Sequence, residues 1–487
     1  MVEAMITLLT PVQTRCQSLQ RGATAVLGFP QVEQVAWEPP SGSPVACGGK
    51  PSRSAGLTAT RWLINRVSTP NSCTDAINRV STPKIMKILF LDQSGKPGGA
   101  ELCLIDIAKP YRDRSLVGLF ADGPFRTLLQ QHHIPVEVLT NQPIEVRKQS
   151  NLLQAIGSLG QLAPLLTKVI KIAIKYDLIY ANTQKALVIG ALASFITRRP
   201  LVYHLHDILS KEHFSQINLR VAVNLANHFA SLVIANSQAS QQAFVQAGGH
   251  PKLTAIVYNG FEPKNYQTCE SNIRQLQQQL GLEGKFIVGH FSRLAPWKGQ
   301  HILISAIAQC PPEVTAILVG DALFGEQDYV QQLHQQVAAL GLEHRVKFLG
   351  FRSDIPQLMA VCDLVAHTST SAEPFGRVIV EAMLCGKPVV ATKAGGAMEL
   401  VEHGINGFLV TPGEPEELAQ VINTCLQQAE ITATIASNAR TSASQRFDVT
   451  AINDSIAKLL ASKFSKYRTY AQATENRTTE DTEDTEE

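Results

Sequence analysis

Glu373 and Glu381 stand eight positions apart in the string Glu373-Pro374-Phe375-Gly376-Arg377-Val378-Ile379-Val380-Glu381, the strongest chemical signal in the chain. Pro374 and Gly376 keep the first carboxylate in a loop. The apolar run Val378, Ile379, Ala382, Met383 then predicts a helix closed by Gly386 and Pro388. One acid therefore precedes the helix, and the other lies about a turn and a half inside it. Backbone N–H groups at a helix start can hold a phosphate, and Glu381 can accept both hydroxyls of a ribose diol. Glu373 would then face whatever is attached beyond the diphosphate. An acidic helix start with an incidental glutamate would suffice to explain the pair if it stood alone.

Arg293 and Lys298 form the second signal, five residues apart in a turn after an apolar run, with Gly299 opening an apolar helix. Two cations beside a helix start can neutralise a departing diphosphate without a metal. The chain holds no Asp-x-Asp triplet to carry a divalent ion. A solvated basic turn is the plain alternative. Earlier, Gly98 and Gly99 open a helix and allow close backbone approach to a ligand, but neither a G-x-G-x-x-G string nor a phosphate-loop string is present. His204 and His206 end a strand and project from one face. A metal site built on them would need further ligands, and only His290 and His367 are similarly placed, so no metal site is expected.

These residues sit in a regular alternation of short apolar runs and helical stretches. Runs at 86–92, 116–121, 136–139, 178–182, 201–206, 232–236 and 255–258 make one series. After a Gln-rich stretch, runs at 286–292, 316–321, 346–350, 364–369, 388–392 and 407–410 make another. Continuous apolar strands separated by helices predict parallel sheets covered on both faces, so the fold class is α/β with two doubly wound domains facing across a cleft. Each strand of the second series ends near Gly, Ser, Thr or Asp, the residues expected where ligands collect. The helical stretch 165–176 carries Lys168, Lys171 and Lys175 on one face, which suits contact with anionic lipid or, more commonly, a solvated face over a buried stripe.

Composition limits the partners. With 43 basic against 41 acidic residues in 487, the chain lacks the cationic surplus that binding a nucleic-acid polymer requires. Nine cysteines without a C-x-x-C pair fit reduced thiols, and no secretory start or membrane-length apolar run is present, so a cytoplasmic location is expected. The ends differ from the body. Residues 1–85 carry eight basic and four acidic residues and repeat Ile-Asn-Arg-Val-Ser-Thr-Pro with a period of 13, whereas 475–487 carry one basic and seven acidic. Residues 1–85 are expected to be disordered, as translated upstream sequence before a natural start at Met86, and 464–487 to form a polar, acidic tail.

In order and spacing, the segments Pro-Gly-Gly-Ala-Glu (97–101), Tyr-His-Leu-His-Asp (203–207), 233–240, 257–263, 291–299, 346–354, 373–381 and 386–401 resemble retaining glycosyltransferases of the GT-B fold, family 4 especially. The resemblance covers about 86–461. It implies an acceptor-side Rossmann-like domain at 86–275, a nucleotide-sugar domain at 280–447, and a helix at 448–463 packing back on the first. It also implies a hexosyl group moved from a GDP- or UDP-linked sugar to a glycan, lipid-linked or small-molecule acceptor. On this resemblance Arg293 and Lys298 stabilise the leaving diphosphate, Glu381 binds ribose, and Phe375 and Gly376 give backbone contacts. Glu373 meets sugar hydroxyls, His206 lies near the anomeric centre, Gly98 and Gly99 border the donor, and no cofactor is needed. A nucleotide-sugar epimerase and a non-catalytic sugar-nucleotide sensor remain open alternatives.

Overall fold

The computed structural model describes residues 86–140, 152–322 and 325–464. The leader expected at 1–85 and the tail from 465 onward lie outside the described residues.

Seven strands form the first sheet: β1 (Ile88–Asp92), β2 (Ser115–Leu119), β3 (Val136–Val138), β4 (Leu178–Ala181), β5 (Leu201–Leu205), β6 (Ala230–Ala235) and β7 (Thr254–Ile256). Their order is β3-β2-β1-β4-β5-β6-β7 and every pairing is parallel. Six more form the second: β8 (Phe286–Phe291), β9 (Val314–Val319), β10 (Val346–Gly350), β11 (Leu364–His367), β12 (Val389–Thr392) and β13 (Phe408–Val410). Its order is β10-β9-β8-β11-β12-β13, again parallel throughout. The architecture is the expected α/β one, two Rossmann-like domains. Each sheet reverses its winding once, between β1 and β4 and between β8 and β11, and such a reversal opens a crevice at the carboxyl ends of the strands.

The alternation of side chains explains why both sheets are covered twice. Leu89 and Leu91 of β1 join one buried cluster, while Ile88 and Phe90 join another on the opposite face. In the second sheet Ile287 and Phe291 face one cluster and Val288 the other. Strands with two buried faces read as unbroken apolar runs, which is the signal the sequence carries. A closing helix at 449–464 places Ile456, Leu460 and Phe464, four residues apart, in the cluster that holds Phe90 and Tyr180 of the first sheet. Each side chain of that size removed from water contributes about 1.5–3 kcal/mol.

Helix Leu152–Ala173 buries Leu165, Val169 and Ala173, and Lys168 pairs with Glu137 at 2.9 Å while donating to the Val138 carbonyl. That leaves Lys171, Ile174 and Lys175 exposed. No helix among the described residues is long and apolar enough to cross a membrane.

Candidate active site

The expected residues gather at the carboxyl edges of both sheets. In the second domain, β8 runs into a loop holding Arg293, then into a single 3-10 turn, Pro296–Lys298. Gly299 follows with φ +72°, and a Cβ there would collide with the carbonyl oxygen of Thr368. Glycine at 299 therefore lets the Lys298 turn lie directly on the end of β11, across the sheet's reversal point. His290 fixes the same junction, with Nε2 3.0 Å from Thr368 Oγ1 and 3.2 Å from the Lys298 carbonyl.

This close approach brings Lys298 to Glu373. Lys298 Nζ donates to Glu373 Oε2 at 2.7 Å and to Oε1 at 3.0 Å, and Ser369 Oγ donates to the same carboxylate at 3.1 Å. His367 Nε2 stands 3.4 Å from Glu373 Oε2. Burial works against a charge here, but Lys298 and His367 outweigh it and hold the Glu373 carboxyl well below the usual carboxylate range. Both Lys298 and Arg293 lie over the Trp297 ring, at 4.0 and 5.5 Å from its centroid. The result is a fixed cationic corner beside an ionised carboxylate.

Gly376, with φ +95°, caps helix Arg377–Leu384, where a Cβ would press on Ile379. The Phe375 side chain is buried among Tyr258, Phe261 and Phe447, so only its backbone is offered to a ligand. Glu381 lies on the helix face of Arg377, whose Nη2 is 3.4 Å from Glu381 Oε1. Burial raises the Glu381 carboxyl, and Arg377 partly offsets that. The two glutamates thus have separate partners: Glu373 faces the Lys298 corner, and Glu381 faces Arg377.

In the first domain, Asp92 at the end of β1 accepts from Asn182 Nδ2 at 2.7 Å, spanning that sheet's reversal point. The Asn182 Oδ1 is 2.9 Å from Nε2 of His206. Because an amide oxygen only accepts, Nε2 carries the proton and Nδ1 of His206 holds the lone pair. Burial first, and then Arg377, push the His206 imidazole down to about 3, so it stays neutral. Gly98 donates its N–H to Glu101 Oε2 at 2.9 Å, so that donor is already engaged. Gly99 backs onto the Arg377 chain, with a would-be Cβ 3.3 Å from Arg377 Cδ. His290 and His367, the further ligands a metal site on His204 and His206 would need, belong to the second sheet and have partners of their own.

Sequence reasoning gave Arg377 no role. The structure sets its guanidinium 4.5 Å over the Phe261 ring, with Nε and Nη1 buried and lacking a hydrogen-bond partner among the described residues. It also missed Glu399, whose carboxylate accepts the backbone N–H groups of Gln238 and Ala239 from the first domain, at 2.9 Å each. The only trace of either was a position: Arg377 inside the Glu373–Glu381 string, and Glu399 after the Gly395-Gly396 turn.

Two family models match the chain: Glycosyl transferases group 1 over residues 272–442, and Glycosyltransferase Family 4 over 97–265. The crystal structure of HepE from Anabaena, in complex with UDP-glucose, is 75% identical, with a TM-score of 0.73, and is covered over 100% of its length by 78% of this chain. The chain belongs to the family 4-like glycosyltransferases of GT-B fold. This transferase also resembles Spore coat protein SA of Bacillus subtilis, 35% identical over 36% of the chain and 50% of that relative. N-acetyl-alpha-D-glucosaminyl L-malate synthase of Bacillus anthracis is 31% identical over 39% of the chain and 49% of its own length. The chain thus spans about half the length of these two curated relatives. The two matching regions follow the two sheets, 97–265 holding β2 to β7 and 272–442 holding β8 to β13.

Proposed function

We propose that the chain is a retaining glycosyltransferase that moves a glucosyl group from UDP-glucose to a sugar-containing acceptor. What carries the reading is the 75% identity to HepE over that protein's full length, since HepE holds UDP-glucose, and in a second structure UDP and glucose. The geometry is compatible with that donor. Arg293 and Lys298 would take the diphosphate, with the N–H groups of Phe375 and Gly376 beside it. Glu381 would take the ribose hydroxyls, and Glu373, held ionised by Lys298, would accept from sugar hydroxyls. Gly98 and Gly99 would border the donor from the first domain, and His206 would stand near the anomeric carbon.

In that arrangement the acceptor hydroxyl approaches on the face from which the diphosphate leaves. The sugar–oxygen bond to the diphosphate breaks, the new glycosidic bond forms on the same face, and a departing phosphate oxygen takes the acceptor proton. Lys298 and Arg293 lower the barrier by stabilising the negative charge that develops on the leaving group. Closure of the two domains excludes water from the intermediate stage. No metal or cofactor is required by this scheme. A lipid-linked acceptor would meet the exposed Lys171, Ile174 and Lys175 at a membrane surface, which co-sedimentation with anionic vesicles tests.

The deciding experiment mixes the protein with UDP-glucose or a GDP-sugar and a panel of glycan acceptors. Acceptor-dependent release of UDP and an α-linked product from the α-linked donor, read by NMR, is the expected result. An epimerised donor would favour the epimerase, binding without turnover would favour a sensor, and an inverted product would overturn retention.

A further inference from the structure

Three donors converge beside the carboxyl end of β5 in the first domain, two of them buried. Cys103 comes from helix Gly99–Ala108, His204 from β5 and His206 from just beyond it. One donor atom from each lies within 4.8 Å of the other two, and the two imidazole centroids are 3.9 Å apart.

We propose that Cys103, His204 and His206 form a binding site for a thiophilic d10 cation of the Zn2+ type, which takes no part in transfer and, by engaging His206, can silence it. The partners of the far ring nitrogens carry the argument. Metal-binding histidines typically tie the other ring nitrogen to an oxygen, which fixes the tautomer and aims the lone pair. His206 does so through Nε2 to Asn182 Oδ1 at 2.9 Å, and Asn182 is itself anchored on Asp92 at 2.7 Å. His204 Nδ1 lies 2.8 Å from the Tyr180 hydroxyl, which can accept the Nδ1 proton and so free the Nε2 lone pair for a cation. Its Nε2 is buried and has no hydrogen-bond partner among the described residues, an orphaned polar atom that a cation would satisfy.

The remaining chemistry agrees. Both imidazoles are held neutral, His204 by burial and then by His206, so both lone pairs are present at neutral pH. Burial pushes the Cys103 thiol up to about 12, which makes it a poor nucleophile, but a bound cation displaces the thiol proton and leaves a metal–thiolate bond. One proton per ion goes to solvent. Arg377, which acts electrostatically on Cys103 and His206, disfavours a cation, and Asp106, which acts on Cys103 in the opposite sense, favours one. Three protein ligands, with the fourth position left to a non-protein ligand, is an ordinary zinc arrangement. A metal-bound His206 is no longer available to the donor sugar, a consequence that rests on the function proposed above, whereas the binding itself does not.

The test uses the full chain, stripped with chelator, in equilibrium dialysis against Zn2+, with Co2+ as a spectroscopic probe. Cys103→Ala, Cys103→Ser and His204→Gln are compared with the unsubstituted protein, and each variant's fold is checked by circular dichroism. The site requires one equivalent of Zn2+ whose affinity falls at least tenfold in the variants. It also requires a thiolate-to-cobalt charge-transfer band that Cys103→Ala and Cys103→Ser abolish. Equal uptake by the protein and the Cys103 variants, or a cobalt complex without that band, overturns it. Zinc should also slow transfer in step with occupancy in the unsubstituted protein and not in Cys103→Ser, each relative to its own metal-free rate. Binding without slowing would uphold the site and overturn the placement of His206 at the donor.

Discussion

Lys298 and Glu373 form a two-pronged ion pair at 2.7 and 3.0 Å although 75 residues separate them. Both side chains are largely buried, so solvent screens the pair little. Removing one partner leaves the other charge buried and unmatched. Under the proposed function, Lys298→Ala also removes the cation that meets the leaving diphosphate. We expect turnover to fall by about two orders of magnitude or more, the size of losing one preorganised charge-stabilising donor. Burial, now opposed mainly by His367, should drive the Glu373 carboxyl upward. Steady-state kinetics on the variant checks this, and turnover within threefold of the unsubstituted protein would remove Lys298 from the mechanism.

The domains are latched by Glu399, whose carboxylate oxygens accept from Gln238 and Ala239 at the start of helix Gln238–Gln246, while Tyr258 donates to it at 3.1 Å. A negative charge at a helix N-terminus contributes about 0.3–1 kcal/mol, more when partly buried. Glu399→Ala should therefore lower the melting temperature slightly and loosen the closed arrangement. Small-angle scattering should show a larger radius of gyration for the variant. An unchanged radius and melting temperature would mean the latch does not hold the domains.

The strands were legible because both faces of each sheet are buried: Ile88 to Leu91 read as one apolar run whichever way each side chain points. The reversal points were less legible, since strand order depends on which crossover the helices take. That is why Asp92 and Asn182, 90 residues apart and hydrogen-bonded across β1 and β4, gave no sequence signal. The Lys298–Glu373 contact was hidden for the same reason. Each residue type and its local turn could be read, but their meeting depends on β8 lying beside β11. Arg377 was passed over because a basic residue four positions before a glutamate on a helix usually makes an exposed pair. Here the pair is buried against Phe261.

Arg377 is the residue that joins the halves electrostatically. After burial, it is the second cause that depresses His206. Arg377→Met keeps apolar bulk over Phe261 while deleting the charge. The His206 imidazole should then titrate at a higher pH than in the unsubstituted protein, moving from about 3 toward its ordinary value. Nitrogen-detected NMR titration of the labelled ring measures it. No movement would mean that burial alone keeps His206 neutral.

Three buried carboxyls around the first crevice make stability depend on pH. Burial, and then Asp92, raise Glu101 from 4.5 to about 8, and burial raises Asp92 and Asp207 from 3.8 to about 6. In each case the folded state holds its proton more tightly than the unfolded one. Their contribution to stability is complete below the unfolded values and is lost as pH climbs through the folded ones, between about 4 and 8. Glu101→Gln keeps an oxygen for the Gly98 N–H and removes the titration. The variant's melting temperature, relative to the unsubstituted protein, should therefore rise by at least about 2 °C between about pH 5 and pH 9, where 1 kcal/mol corresponds to roughly 2–4 °C. Scanning calorimetry across that range decides it. A difference that stays constant with pH would mean Glu101 ionises normally in the fold, and that its 2.9 Å contact with Gly98 offsets its burial.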